Sequence, residues 1–174
     1  YCQYGEELGI KVSQAEPFTK DNFTISSSFI RILLNVGDIK LANLYLNYTY
    51  KVTGKVVRGN QLGNKLGFPT GNIELVEKNK CLPQTGVYAV NAIVRGKKYN
   101  AMAYLGTRPS ISRDNEEILL EVNIFDFNDD IYGEEMTVEF FKKTRAQKRF
   151  EDMDALKKAI ALDEIEVKNF FAQK

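Results

Sequence analysis

The strongest constraint on the fold is a series of short apolar stretches, separated by turns, that begins at about Tyr50. The stretches cover residues 50–57, 72–76, 86–94, 99–105, 118–127 and 136–143. Short runs rich in valine and tyrosine favour β-strands, and Arg95-Gly96-Lys97 predicts a hairpin turn between two of them. Short strands joined by regular turns predict an antiparallel barrel or a sandwich.

Helical patterns precede this series. Ser26 or Ser27 predicts the cap of a helix that ends near Gly37, and a second helix follows it directly. Residues 10–12 alternate as a short strand would. We therefore expect residues 1–46 to form a small α/β unit.

A single long helix is expected after the strands. Asp152 is a suitable N-cap for it. Its apolar stripe consists of Met153, Leu156, Ala159, Ile160, Val167, Phe170 and Phe171. Such a stripe indicates packing against the strands, so we expect residues 47–174 to form a mainly β domain with a C-terminal helix.

A glycine-rich segment, R-G-N-Q-L-G-N-K-L-G-F-P-T-G-N, covers residues 58–72. Its first three glycines are spaced four residues apart, and Lys65 lies among them. Exposed backbone N–H groups and one lysine could wrap phosphates, although a plain turn between strands is the commoner use of such a segment. It is not a Walker A loop, because Asn64 stands where the second glycine of G-x-x-x-x-G-K-S/T would be.

The end of this segment offers oxygen ligands for a metal ion. Thr70 and Asn72 alternate around Gly71, so an extended backbone would point both side chains the same way. A hydroxyl and an amide oxygen, completed by phosphate oxygens and waters, suit Mg²⁺.

The residue types narrow the possible chemistry. The chain contains no histidine, which excludes Ser-His-Asp triads and histidine-based zinc sites within it. A proton acceptor must then be a carboxylate, lysine, tyrosine or cysteine. The formal net charge is +1, which gives no reason to expect a nucleic acid or a membrane as partner.

The cysteines and the first residues of the chain bear on the cellular compartment in which the protein works. Cys2 and Cys81 form no C-x-x-C pair, which favours free thiols in a reducing cytoplasm over a disulfide. No secretory signal pattern is present, and the first residue is Tyr1. We interpret the chain as a cytoplasmic fragment of a longer protein.

Several motifs together resemble the riboflavin kinases. The segment R-G-x(3)-G-x-K-L-G-F-P-T-x-N is similar to the family signature, which usually has P-T-A-N. G-V-Y-A-V, L-G-T-R-P-S, L-E-V-N-I-F-D-F and D-I-Y-G follow in the family's order. The resemblance spans about residue 50 to the C-terminus. It implies a closed antiparallel barrel that uses ATP and Mg²⁺ to convert riboflavin into FMN.

The resemblance also assigns roles to particular residues. The family's catalytic glutamate falls on Glu121, which its apolar neighbours Leu120 and Val122 would otherwise mark as an ordinary outward-facing glutamate. The ATP contacts fall on Gly59, Lys65, Thr70, Ile124 and Asp126, the Mg²⁺ ligands on Thr70 and Asn72, and the flavin contacts on Arg145, Lys148 and Phe150.

The chain departs from the family's motifs at Gly71, which replaces the usual alanine, and at three further positions. Ala146 and Gln147 replace the proline and glutamate of the family's L-R-P-E-x-x-F, which puts the shape of the flavin loop in question. Tyr104 stands where the family often has a small polar residue.

Residues 25–31, I-S-S-S-F-I-R, resemble the closing motif of the FMN adenylyltransferase module of bifunctional bacterial FAD synthetases. The resemblance implies nucleotide-phosphate contacts at Ser27, Ser28 and Arg31, whereas simple helix capping is the alternative. That module also needs a histidine-bearing catalytic motif, which this chain lacks. We therefore expect residues 1–46 to be a C-terminal remnant of the module and residues 47–174 to be the kinase domain.

Two other functions compete with a kinase. A non-catalytic module could bind flavin or nucleotide with Glu121 merely structural, and turnover with ATP and Mg²⁺ separates it from an enzyme. An oligonucleotide-binding barrel would need a basic groove with interleaved aromatic side chains, and the near-neutral charge argues against it.

Overall fold

The computed structural model describes residues 2–13, 15–20, 23–59, 62–77, 79–108 and 117–174. The helices are α1 (Cys2–Glu7), α2 (Ser27–Val36), α3 (Ile39–Leu46), α4 (Leu62–Leu66) and α5 (Met153–Ala172). The strands are β1 (Thr19–Lys20), β2 (Phe23–Thr24), β3 (Lys51–Val57), β4 (Gly71–Leu75), β5 (Gly86–Val94), β6 (Lys97–Arg108), β7 (Glu117–Ile124) and β8 (Glu135–Ala146).

Strands β3 to β8 form a closed barrel in the order β3-β4-β7-β6-β5-β8. Every neighbouring pair is antiparallel, and β8 pairs with β3 to close the ring. Across the closing pair, the Thr53 and Thr137 hydroxyl oxygens lie 2.8 Å apart. Closure leaves no unpaired strand edge in the ring. The structure thus confirms the closed barrel that the resemblance implies, rather than a sandwich.

Alternate side chains of each strand fill the barrel. Tyr88 and Phe140 are fully buried there, and their rings meet edge-to-face with centroids 5.3 Å apart. Leu120 and Val122 of β7 are 1% and 2% exposed within the same core. Residues between these positions therefore lie on the outer face of the barrel.

Helices α2 and α3 begin and end where the sequence predicts. The Ser26 hydroxyl accepts a hydrogen bond from the Phe29 N–H at 3.1 Å, and Gly37 ends α2 with φ 78°. Asn43 of α3 joins the helix pair to the barrel. Its amide donates to the Phe140 carbonyl at 2.8 Å, and its oxygen accepts from the Tyr50 N–H at 2.7 Å.

Two local expectations are wrong. Residues 10–12 form no strand, because Ile10 turns back to donate its N–H to the Gly5 carbonyl at 2.8 Å behind α1. The short helix α4 lies inside the glycine-rich segment, where we expected only loop. It ends at Gly67, whose φ of 91° suits glycine, and the Phe68 N–H donates to the Gly63 carbonyl at 2.8 Å.

Helix α5 covers part of the outer face of the barrel. Asp152 caps its N-terminus by accepting a hydrogen bond from the Ala155 N–H at 2.7 Å. Val167 is fully buried against Ala89 and Met102 of β5 and β6. Ile160, Phe170 and Phe171 pack beside it, so most of the predicted stripe contacts the barrel wall, whereas Met153 is exposed. In the described part of the chain, every helix is too short or too polar to span a bilayer.

We expect Tyr50 to make stability depend on alkaline pH. Burial, reinforced by nearby Cys81, raises the pKa of Tyr50 from 10.0 to about 12, and its hydroxyl donates to the Cys81 carbonyl. The unfolded chain then loses this proton before the folded chain does, so stability is complete below pH 10 and falls as pH rises towards 12. Thermal unfolding of Tyr50→Phe should show a shallower fall in Tm over this interval than the unaltered chain.

Tyr4→Phe is the matched control for this measurement, since Tyr4 is exposed and is not among the groups that raise the pKa of Tyr50. It should follow the unaltered chain at every pH. Parallel Tm curves for Tyr50→Phe and the unaltered chain would contradict the assignment.

Candidate functional site

A cavity of about 340 Å³ lies between the outer face of the barrel and α5; we call it the outer cavity. It is lined by Gly63, Leu66, Phe68, Thr70, Val87, Met102, Ala103, Tyr104, Leu119, Glu121, Asn123, Arg145, Lys148, Phe150, Leu156, Ile160 and Asp163. Most of these side chains are apolar, so a few polar groups would orient a largely apolar ligand.

A second cavity of about 340 Å³, the inner cavity, opens on the other side of the β4–β7 wall. It is lined by Val56, Asn64, Pro69, Thr70, Gly71, Val122, Ile124, Phe127, Asn128, Asp129, Asp130, Ile131 and Tyr132. Val56, Val122 and Ile124 belong to the barrel core, so this cavity lies at one mouth of the barrel. Thr70 lines both cavities, which therefore adjoin at the end of the glycine-rich segment.

Five residues form a row across five neighbouring strands on the outer face. Asn72 of β4 lies opposite Glu121 of β7. Glu121 lies opposite Tyr104 of β6. Tyr104 lies opposite Val87 of β5, which in turn lies opposite Arg145 of β8. Directly opposed residues share a face, so the row brings a metal-ligand candidate, a carboxylate and a cation along one wall.

Glu121 lies in a covered part of the outer face. Its neighbours Leu120 and Val122 point into the core, so Glu121 points outward as the sequence predicts. The outward side is not open solvent there, because α5 roofs the outer cavity with Leu156 and Ile160. Burial and the nearby Glu121 charge both raise the pKa of the Tyr104 phenol.

Arg145 is held at the far end of the row by α5. Its Nε donates to Asp163 Oδ1 at 2.9 Å, and its Nη2 donates to Asp163 Oδ2 at 2.7 Å. This two-point contact raises the pKa of Arg145, so the guanidinium stays charged beside the cavity. The guanidinium carbon also lies 5.4 Å from the Phe150 ring centroid, and Lys148 Nζ lies 6.0 Å from it. The three flavin-contact candidates therefore lie together in the outer cavity.

The sequence analysis missed Asp163 and Asn123. Asp163 is only 5% exposed, and it interrupts the apolar stripe of α5 three residues after Ile160 and four before Val167. A carboxylate on a buried stripe signals a buried cation partner. Asn123 follows Glu121 at the next outward position and donates its amide to the Pro69 carbonyl at 2.6 Å, which ties the P-T-G turn to β7.

Thr70 lines both cavities, whereas Asn72 lines neither and lies opposite Glu121 on the neighbouring strand. A Cβ added to Gly59 would lie 2.0 Å from Asn72 Nδ2, and one added to Gly63 would lie 2.9 Å from Thr70 Oγ1. These glycines therefore let the segment fold closely over both side chains. The described residues include no cluster of three or more acidic or cysteine side chains that could hold a metal ion by themselves. An oxygen pair of this kind fits Mg²⁺ that keeps waters and phosphate oxygens as its other ligands.

The other residues proposed to contact ATP differ in where they lie. Ile124 lines the inner cavity. Asp126 is exposed in the turn after β7, with φ 54°, and it does not line either cavity. Gly59 lies against Asn72 rather than in a cavity wall. Lys65 belongs to α4, but its side chain lies outside what the structure describes.

The three phosphate candidates of the N-terminal unit lie away from both cavities. Ser27 and Ser28 are exposed in the first turn of α2, whose cap is Ser26. Arg31 Nη1 donates to Ser27 Oγ at 3.3 Å. Arg31 also lines a separate, open cavity of about 460 Å³ with Tyr50, Glu77, Asn79, Lys80 and Cys81.

A closed barrel with two cavities that adjoin at one hydroxyl, and with a carboxylate in the shared wall, has the layout of an enzyme that joins two substrates. The riboflavin kinase (flavokinase) family model matches residues 46–171. The chain belongs to the riboflavin kinase family.

Individual relatives agree with this family and are longer. The bifunctional riboflavin kinase/FMN adenylyltransferase of Bacillus subtilis is 37% identical over 161 residues, which cover 92% of this chain and 51% of the relative. That of Haemophilus influenzae is 39% identical over 167 residues, covering 95% and 53%. The crystal structure of a Streptococcus pneumoniae protein named as a macrolide-efflux protein matches with a TM-score of 0.81 and 37% identity, covering 88% and 49%. The chain spans about half the length of these relatives.

Proposed function

We propose that this chain transfers the γ-phosphoryl group of ATP to the terminal hydroxyl of riboflavin, giving FMN and ADP. The observation that carries the proposal is the position of Thr70, which lines both cavities next to the wall that bears Glu121. Each substrate would have its own cavity, and the reacting atoms would meet where the cavities adjoin. Family membership supplies the identity of the two substrates.

The inner cavity suits the nucleotide. Val56, Val122 and Ile124 offer an apolar surface to the adenine, while Thr70 and Gly71 lie at the end from which the phosphates would reach the outer cavity. Thr70 and Asn72 would hold Mg²⁺, which when bound neutralises charge on the phosphate oxygens. Asn123 keeps this turn in place through the Pro69 carbonyl.

The outer cavity suits the flavin. Phe150, Arg145 and Lys148 lie together at one end and offer an aromatic face and two cations to the ring system. Glu121 lies towards the Thr70 end and would accept the proton of the attacking hydroxyl. Helix α5 helps to exclude bulk water from the outer cavity, because its Leu156 and Ile160 form part of the lining.

An assay of FMN and ADP formation from riboflavin, ATP and Mg²⁺ tests the proposal. The chain should produce both products in equal amounts, which chromatography can follow. Tight flavin or nucleotide binding without turnover would instead support the non-catalytic binding module.

The Mg²⁺ assignment predicts the behaviour of Asn72→Ala. Removing the amide oxygen takes away one candidate ligand, so the Mg²⁺ concentration needed for half-maximal rate should rise by about tenfold or more, the loss typical for a group supporting a metal site. Circular dichroism should show an intact barrel. Titration of the rate with Mg²⁺ at saturating ATP measures the effect.

Asn169→Ala is the control, because Asn169 is exposed on α5 and lines neither cavity. Its Mg²⁺ dependence should equal that of the unaltered chain. An Asn72→Ala protein with unchanged rate and unchanged Mg²⁺ dependence would refute the assignment.

We further propose that residues 1–46 belong to an FMN adenylyltransferase module and residues 47–174 to the kinase domain. Large exposed apolar side chains are concentrated within residues 1–46: Tyr4, Leu8, Ile10, Val12, Phe18, Phe23, Ile32, Val36 and Leu44. Exposed apolar surface of this kind marks interaction sites. The named activities and the length of the relatives agree with this division.

A further inference from the structure

Tyr104 occupies a central position in the outer cavity that no step above uses. It lies one strand from Glu121 in the row and two strands from Arg145. Its side chain is half-buried, and it lines the cavity directly. Neighbouring strands lie ~5 Å apart, so Tyr104 lies about that far along the wall from the carboxylate.

The Tyr104 ring lies flat along its own strand. A Cβ added to Gly106 would lie 2.5 Å from the Tyr104 hydroxyl oxygen and 2.6 Å from Cζ. The ring therefore covers the backbone at Gly106, a position where any side chain would displace it. This packing fixes where the phenol lies on the cavity wall.

The Tyr104 hydroxyl is available to a ligand. The Tyr104 side chain lines the outer cavity between Glu121 and Arg145, whose charges both act on the pKa of the phenol. Burial and the Glu121 charge raise the pKa of the phenol, so it keeps its proton and remains a donor at neutral pH. The wall that Tyr104 lines is largely apolar, so a donor there gains most from an acceptor carried by the ligand.

We propose that Tyr104 is a specificity-determining residue whose phenol donates a hydrogen bond to the polyol chain of the flavin, between the phosphorylated hydroxyl and the ring system. The inference rests on the proposed function, since it places the reacting hydroxyl at Glu121. The ring system then lies towards Arg145 and Phe150, and the polyol chain passes over Tyr104. The site would thereby distinguish flavins that carry a hydroxylated chain from those that do not.

Two flavins that differ only in this chain test the inference. Riboflavin carries the polyol chain, whereas lumiflavin has a methyl group in its place. Tyr104→Phe removes the hydroxyl and keeps the ring, so the dissociation constant for riboflavin should rise about 3- to 10-fold, the effect of losing one hydrogen bond. The constant for lumiflavin should stay within about twofold, because a ring contact is unchanged. Quenching of flavin fluorescence measures both constants.

A second variant displaces the Tyr104 hydroxyl without changing Tyr104 itself. Gly106→Ala should push the Tyr104 phenol from its position and cause the same selective loss for riboflavin. Tyr48→Phe, which removes an exposed phenol far from the cavity, should change neither constant. The KM for ATP should be unchanged in all three variants.

The outcomes separate this inference from the proposed function. If the variants lost affinity equally for the two flavins, or lost no affinity for riboflavin, the role of Tyr104 would be overturned. The proposed kinase activity would be unaffected by either result. An unaltered chain that binds riboflavin without making FMN would overturn the kinase, and the two dissociation constants would still decide the role of Tyr104. An unaltered chain that binds neither flavin would overturn both.

Discussion

Glu121→Gln should lower kcat for FMN formation by about 10²–10⁴-fold, the usual contribution of a general base. Glutamine keeps the size and hydrogen-bonding capacity of the side chain but cannot accept a proton at neutral pH. The KM for riboflavin should change little, because the cavity wall and the Arg145–Phe150 end remain in place. Steady-state kinetics with varied riboflavin at saturating ATP measure both parameters.

The control for this change is Glu74→Gln. Glu74 is an exposed glutamate on β4, the strand next to Glu121, and it lines neither cavity. It should retain the full rate, which separates loss of the base from loss of one negative charge on this side of the barrel. A Glu121→Gln protein within a few-fold of the unaltered kcat would mean that Glu121 only positions the substrate.

The positions of most elements follow from local patterns in the sequence. Strand β5 coincides with the predicted stretch at residues 86–94, because its valines, isoleucine and tyrosine fit a buried strand. Helix α5 follows from one cap and one stripe, which are both properties of neighbouring residues. Residues 10–12 show the limit of such patterns, since alternation without a partner strand gave no strand there.

Which residues meet in the site depends on the register of strand pairing. Local sequence patterns do not determine that register. Irregularities in the β5–β8 pairing lie between Val87 and Tyr88 and between Ala89 and Val90, and they shift which residues oppose each other around the barrel. The row from Asn72 to Arg145 exists only in this register. The sequence predicts that Glu121 points outward, but only the packing of α5 turns that outer face into a cavity. The Arg145–Asp163 contact likewise joins a strand and a helix that meet only in the folded chain.

The second large effect concerns the product: this chain should stop at FMN and make no FAD. FAD formation needs a nucleotidyl transfer, in which the phosphate of FMN attacks the α-phosphate of a second ATP. The resemblance of residues 25–31 implies a module that uses a histidine-bearing motif for this step, and this chain contains no histidine. Ser27 and Ser28 are exposed, and Arg31 bonds to Ser27, so these residues alone surround no substrate.

Alignment of two reactants can supply roughly 7–11 kcal/mol of a reaction barrier, and three exposed side chains cannot provide it. Incubation with riboflavin, excess ATP and Mg²⁺ should therefore accumulate FMN, with FAD at the background of a reaction without protein. The bifunctional relative from Bacillus subtilis, whose name includes the adenylyltransferase, serves as the positive control. Steady FAD production by the purified chain would show that residues 1–46 do more than contribute a few contacts to a larger module, and the proposed division of the chain would have to be abandoned.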